Sequence, residues 1–217
     1  MISLVKRVVI TGGTGGLGSV MSEKFRGAGW EVKALGRADL DLLDEERVRE
    51  YFSENACELL ICAAGMIRDQ PLKRMEEETW DEVFGINFEG ARICAEVAIS
   101  EMVKRKGGHV VFVSSYAAIR PAVGQAAYAA AKAALLGLTK ALAEKWGKEG
   151  VRVNAVLPGF LETPMTEAVS EKRKAVVRDL HFLGEFNTVE SAANFFLFLE
   201  EGMRGASGQV FQLDSRP

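Results

Sequence analysis

"RVVITGGTGGLG", residues 7–18, places four β-branched residues in a row (Val8–Thr11) ahead of a glycine cluster, and the chain then continues as a helical pattern. The β-branched run predicts a strand. Gly12, Gly16 and Gly18 leave no side chains where a backbone must turn with positive φ or approach a ligand closely. A helix leaving such a turn presents free N–H groups and the positive end of its dipole, which suits a pyrophosphate. The spacing is T-G-x-x-x-G-x-G rather than the commoner G-x-G-x-x-G. A tight strand-to-helix turn without a ligand is the plainer reading of any glycine cluster. The position after the first strand of an alternating chain is what favours a nucleotide.

Outward from this stretch, short apolar runs alternate with longer helical patterns. Residues 7–11, 31–35, 59–63, 109–114, 151–157 and 209–213 read as strands, most of them continuously apolar, as strands covered on both faces must be. Helical patterns fall near 17–28, 45–55, 79–106, 126–149 and 189–200. Asp44 and Thr79 read as helix N-caps. This alternation predicts an α/β fold: one Rossmann-type, doubly wound parallel sheet with helices on both faces, in a single domain over residues 1–217. Residues 160–188 show no strand and are long enough to cover a site as a lid.

The bulk numbers bound the function. The chain has 217 residues, 48% hydrophobic and 26% charged, with net charge −3. That is one core of ordinary composition, with no basic excess to recruit nucleic acid. No run is long and apolar enough to imply a membrane span, and the N-terminus "MISLVKRVVITGG" does not read as a signal peptide. Cys57, Cys62 and Cys94 follow no metal spacing, so no metal is expected, and scattered thiols suit a cytoplasmic setting.

The stretch 126–134, "AAYAAAKAA", is alanine but for Tyr128 and Lys132. At i and i+4 the two lie on one helix face. An ammonium beside a phenol favours phenolate, so Lys132 is expected to lower the Tyr128 pKa and fit it for proton transfer to or from a carbonyl oxygen. A solvated Tyr–Lys pair is the plainer alternative. Ser115 ends the run "HVVFVSS", at the end of a strand, where open α/β sheets bind ligands, and can hydrogen-bond the same oxygen. At the end of the second strand, "KALGRAD" (33–39) has Gly36 where an NAD-binding acid would stand, followed by Arg37. A basic residue there suits a 2′-phosphate, so NADP(H) is favoured over NAD(H); the plainer reading of Arg37 is a solvated loop residue.

These features together resemble the short-chain dehydrogenase/reductase family. "TGGTGGLG" (11–18) is similar to its cofactor turn, Ser115, Tyr128 and Lys132 to its serine and Y-x-x-x-K, and Asn87 in "FGINFEGA" to its helix asparagine. "PGFLET" (158–163) is similar to the segment that holds the nicotinamide amide. Within the family, residues 65–87 and "PGFLETPMTEAV" look most like 3-oxoacyl-acyl-carrier-protein reductases. The resemblance implies hydride transfer between a nicotinamide and a carbonyl or secondary alcohol. Tyr128 would be the acid, and Lys132 would tune it and bind ribose. Ser115 would polarise the carbonyl, and Asn87 would hold a water linked to Lys132. It implies dinucleotide contacts at Gly12, Thr14, Gly15, Gly16, Leu17, Gly18, Arg37, Asp41, Leu42, Ala63, Ala64, Gly65, Tyr128, Lys132, Pro158, Gly159, Leu161 and Thr163. It also implies a homodimer or homotetramer joined through the helices at 79–106 and 126–149.

The sequence departs from the family in four places. "CAAG" (62–65) replaces N-N-A-G, and Gly15 stands where NADP-binding members often carry a basic residue. A whole helix is missing between the second strand and Asp41–Asp44, and the tail "GQVFQLDSRP" lacks the usual glycine pair. Two other readings stay open: a dehydrogenase of a sugar, steroid or other secondary alcohol, and a regulator that binds NADP without turnover. The basic run "KRK" (172–174) with Arg178 can meet an acidic carrier protein or simply keep a helix solvated. His109 is expected to be structural.

Overall fold

The computed structural model describes residues 6–217; residues 1–5, part of the stretch read as lacking a signal peptide, lie outside them. Six strands, β1 (Arg7–Thr11), β2 (Glu31–Leu35), β3 (Leu59–Cys62), β4 (Gly108–Val113), β5 (Val151–Leu157) and β6 (Val210–Gln212), form one parallel sheet in the order β2-β1-β3-β4-β5-β6. All six coincide with the β-branched runs to within a residue or so. Seven α-helices are α1 (Gly16–Gly27), α2 (Glu45–Glu54), α3 (Glu77–Phe84), α4 (Gly90–Lys104), α5 (Ala126–Trp146), α6 (Glu171–Asp179) and α7 (Val189–Glu201).

The continuous apolar strands divide by period two between two cores. Val9, Leu60, Val110, Phe112 and Val153 face α2, α4 and α5. Val8, Ile10, Leu59, Ile61, Val111 and Val156 face α1 and α7. Phe25, Phe52, Phe112 and Phe196 are fully buried, each stabilising the fold by about 1.5–3 kcal/mol. Asp44 caps α2 by accepting the Arg47 N–H at 3.1 Å, as expected.

One reading of the helices is corrected. Thr79 is not an N-cap: α3 starts two residues earlier, behind Glu76, and places Glu77 and Glu78 in its first turn, where carboxylates favour the dipole. The helix expected over 79–106 is present from Glu77 to Lys104, α3 and α4 being joined without a gap through a widened π-type turn at Gly85–Glu89 that holds Asn87. Between β2 and α2, residues 36–44 carry neither helix nor strand, and β2 is left as a sheet edge. The familiar dinucleotide-binding order 3-2-1-4-5-6 has a further strand on that side.

The strand order reverses between β1 and β3, so a crevice opens there at the C-terminal strand ends. At the opposite ends, His109 is buried with its Nδ1–H donating to Glu200 Oε2 at 2.9 Å and its Nε2 accepting from Asn154 Nδ2 at 2.9 Å. Burial holds the imidazole below its usual pKa, against the pull of Glu200. As expected, His109 is structural.

Candidate active site

The glycine turn lies in that crevice. Gly12 has φ 67°, and a Cβ there would stand 2.7 Å from Ala64 N and 2.8 Å from Ala63 O. The first turn thus packs directly on the backbone after β3. A Cβ on Gly16 would meet Thr163 Cβ at 2.7 Å, which brings the turn against the segment after β5. A Cβ on Gly18 would fall inside the Gly12 carbonyl oxygen. Thr14 and Gly15 are exposed, and α1 begins behind Gly15 with no side-chain cap. Its first N–H groups therefore face the crevice without a capping partner. That is the chemistry a dinucleotide pyrophosphate needs.

Ser115 and Tyr128 meet at the end of β4. Ser115 Oγ accepts the Ala117 N–H at 3.1 Å and lies near enough to the Tyr128 phenol to lower its pKa. One turn along α5, Lys132 is 4% exposed, and its Nζ lies 5.8 Å from the Tyr128 ring centroid. The ammonium donates to the Val113 carbonyl at 2.9 Å, and burial draws its pKa down to about 8. The expected lowering of the Tyr128 pKa is corrected. Burial raises it, the nearby Ser115 hydroxyl offsets part of the rise, and Asp69 adds to it. The i,i+4 geometry holds, but the Lys132 ammonium is turned to a backbone carbonyl and is itself costly to charge.

Asn87 is fully buried. Its Nδ2 donates to the carbonyls of Met66 and Val83, both at 2.8 Å, and its Oδ1 accepts the Met66 N–H at 3.3 Å. Both amide hydrogens are thus committed to pinning the loop after β3, and only Oδ1 has acceptor capacity left. A Cβ on Gly65 would lie 2.7 Å from that Oδ1 and 3.5 Å from Lys132 Nζ, so Gly65, Asn87 and Lys132 share one small space.

On the β2 side, a Cβ on Gly36 would reach Thr14 Oγ1 at 2.6 Å, so the glycine turn and the end of β2 adjoin. Arg37 is exposed. Asp41 Oδ1 accepts the Leu43 N–H at 3.0 Å, and Leu42 is buried, packed where a Cβ on Gly90 would touch it at 2.9 Å. After β5, the Pro158 carbonyl accepts from Asn187 Nδ2 at 2.8 Å, Gly159 has φ 95°, and the buried Leu161 gives its carbonyl to Thr166 Oγ1 at 2.7 Å. Thr163 caps a short helical turn at Pro164–Thr166. Of the basic run, Lys174 is paired with Glu171 at 3.0 Å and Glu162 at 3.6 Å, and Arg178 lies over Phe186 at 4.7 Å. Lys172 and Arg173 are exposed.

The profile described as short chain dehydrogenase matches residues 39–174. The chain belongs to the short-chain dehydrogenase/reductase family. As such it is an NAD(P)-dependent oxidoreductase. It is 36% identical over 197 residues to a 3-oxoacyl-acyl-carrier-protein reductase of Aquifex aeolicus, covering 88% of this chain and 79% of that one. It is 34% identical to the protein of the same name from Thermotoga maritima, covering 91% and 84%. An oxidoreductase of the short-chain dehydrogenase/reductase family from Burkholderia thailandensis superposes with TM-score 0.90 at 28% identity, covering 98% of this chain and 92% of that one. A Beutenbergia cavernae protein described as an NAD(P)-dependent gluconate 5-dehydrogenase, solved with NADP at low occupancy, gives 0.88 at 26% identity, covering 98% and 97%. No helix among the described residues is long and apolar enough to cross a membrane.

On the cofactor side the structure adds a residue that sequence reasoning passed over. Asp39 Oδ2 accepts the Gly36 N–H at 2.6 Å, which puts a carboxylate at the end of β2 although no acid stands there in sequence. The turn at 37–39 folds it back, and only the three-residue spacing from Gly36 hinted at it. Gly13 was also missed: a Cβ there would lie 2.7 Å from Ala34 Cα, so it is needed for β1–β2 packing.

Proposed function

We propose that the protein is an NADP(H)-dependent reductase that moves a hydride between nicotinamide and a carbonyl or secondary alcohol, with 3-oxoacyl thioesters, carrier-linked ones included, as the substrate class. The observation that carries this reading is the convergence of Ser115, Tyr128 and Lys132 at the strand ends that also bear the glycine turn. The bound dinucleotide supplies the hydride. Ser115 hydrogen-bonds the substrate oxygen, and Tyr128 gives it the proton. The phenol is protonated at neutral pH, as a proton donor must be. Lys132 would hold the ribose hydroxyls of the bound dinucleotide, with Asn87 Oδ1 close by across the space at Gly65.

The dinucleotide would lie along Gly12–Gly18, Ala63–Gly65 and Pro158–Thr163, with its adenosine end near Arg37, Asp41 and Leu42. Arg37 favours NADP(H). Asp39 is the specific observation for a second reading, because its carboxylate suits a ribose hydroxyl and opposes a 2′-phosphate. Residues 1–217 act as one domain, with 160–188 as the substrate lid. Exposed apolar side chains on the segments that border the site, Ile119, Val123, Met165, Phe182 and Leu183, suit an acyl chain. The assembly is a homodimer or homotetramer. Loss of NADPH absorbance with a panel of 3-oxoacyl thioesters, sugars and steroid ketones tests the proposal, and no oxidation of NADPH or NADH with any of them refutes it.

A further inference from the structure

Where the family's glycine pair is missing, the chain has Asp214, Ser215 and Arg216 just beyond β6. The Asp214 side chain is 1% exposed, and its Oδ2 accepts from Arg216 Nε at 2.6 Å. The Arg216 guanidinium lies 3.8 Å from the centroid of the Tyr116 ring, and the Tyr116 hydroxyl donates to the main-chain oxygen of Pro217 at 3.0 Å. Tyr116 directly follows Ser115. On its other side the tail grips the return of the candidate lid. Phe182 N–H donates to the Ser215 carbonyl at 3.0 Å, and Leu183 N–H to Ser215 Oγ at 3.2 Å. His181 Nδ1–H donates to the Val177 carbonyl, while its buried Nε2 has no hydrogen-bond partner and stands 3.6 Å from Asp214 Oδ2. Gly159, at φ 95°, leaves the room that Asp214 occupies: a Cβ there would be 2.9 Å from Asp214 Cβ.

We propose that Asp214 and Arg216 are positioning residues that clasp the lid return at 181–187 to the Ser115–Tyr116 turn, so that the carbonyl-holding serine and the segment over the substrate are set as one unit. The ring face of Tyr116 takes the guanidinium, and Asp214 neutralises it out of solvent. The clasp's one contact with the dinucleotide side is the packing of Asp214 on Gly159, which Asp214→Asn keeps in shape, so the clasp acts on the carbonyl substrate. This rests on the reading of Ser115 given above.

Removing Arg216 alone would strand a buried carboxylate, so the test uses the charge-neutral pair Asp214→Asn/Arg216→Met, with Tyr116→Phe as a milder variant. With acetoacetyl-coenzyme A as the probe, the pair lowers kcat/KM by about 10–100-fold through misplacement of the serine turn. The dinucleotide Kd stays as in the wild type, and hydrogen exchange quickens at 115–118 and 181–187 only. Tyr116→Phe, which loses one hydrogen bond, shows the same pattern at about 2–10-fold. Unchanged kcat/KM in both variants overturns the clasp. So does a loss that runs parallel with dinucleotide affinity and thermal midpoint, since that is general loosening. Should the pair not fold, Tyr116→Phe decides alone. A wild type that turns over no carbonyl defeats the proposed function instead, and the local exchange pattern still decides the clasp.

Discussion

Gly18→Ala carries a steric demand that can be worked from the coordinates. The added Cβ falls inside the Gly12 carbonyl oxygen and 2.8 Å from Gly13 Cα, all backbone atoms that cannot rotate away. Nor can Gly12 retreat, because it is itself wedged against Ala63 and Ala64. Overpacking of this kind costs about 1–3 kcal/mol, and the upper end applies where backbone meets backbone. Alanine regains up to about 1 kcal/mol of helix propensity over glycine in α1. The net loss of about 2 kcal/mol lowers the thermal midpoint by about 4–8 °C for a chain of this size. Displacing the Gly12 carbonyl also misaligns the N–H groups that open α1, and dinucleotide affinity is expected to fall at least about tenfold, or 1.4 kcal/mol. Gly15→Ala is the control. Its Cβ meets one atom, Gly12 O at 3.2 Å, and its φ of −80° is ordinary for alanine. It is expected to change the midpoint by about 2 °C or less, so it controls for the stability effect. Thermal unfolding and titration of NADPH by fluorescence read both quantities. A Gly18→Ala protein that matches the wild type in both would refute the account of the turn.

Three further outcomes are expected. If Arg37 meets the 2′-phosphate, NADPH binds about 10–150-fold more tightly than NADH. Arg37→Ala with Gly36→Asp then reverses that order and Asp39→Asn widens it; equal affinities in the unaltered protein count against Arg37. Lys132→Met loses turnover yet is more stable than the wild type at pH 7, since it removes a buried ammonium whose pKa is about 8. A drop from 10.5 to about 8 is worth at most about 3 kcal/mol. That cost is fully present below about pH 8, where folded and unfolded chains are both protonated, and fades as pH rises toward 10.5; a gain that grows with pH would contradict it. Light scattering is expected to give a dimer or larger, and 23.6 kDa at every dilution would exclude it.

The sheet was legible because its four inner strands, β1, β3, β4 and β5, are covered on both faces and so are written as apolar runs with glycine or a helix pattern beyond them. The order of motifs carried the candidate catalytic side chains for the same reason: Ser115, Tyr128 and Lys132 lie on or next to elements whose period the sequence shows. What stayed hidden depends on contacts between distant residues or on local hydrogen-bond choice. The widened turn at Gly85–Glu89 lies in a stretch whose apolar spacing continues without pause. Thr79 has a capping side chain, but the acids before it start the helix sooner. The lysine that ought to tune the phenol donates to Val113 instead, 19 residues away in sequence. Asp39 reaches the end of β2 only because the turn folds back, and the meeting of His181, Asp214, Arg216 and Tyr116 joins segments that no local pattern connects.

Tyr128→Phe tests the proposed chemistry most directly. The change removes one oxygen and keeps the ring on the alanine face of α5, so folding and dinucleotide affinity are expected to be preserved. With NADPH and a 3-oxoacyl thioester that the wild type reduces, kcat is expected to fall by about 10²–10⁴, the scale of a lost general acid. A Tyr128→Phe enzyme with wild-type kcat would contradict the mechanism and leave the tyrosine and lysine of "AAYAAAKAA" as ordinary helix side chains.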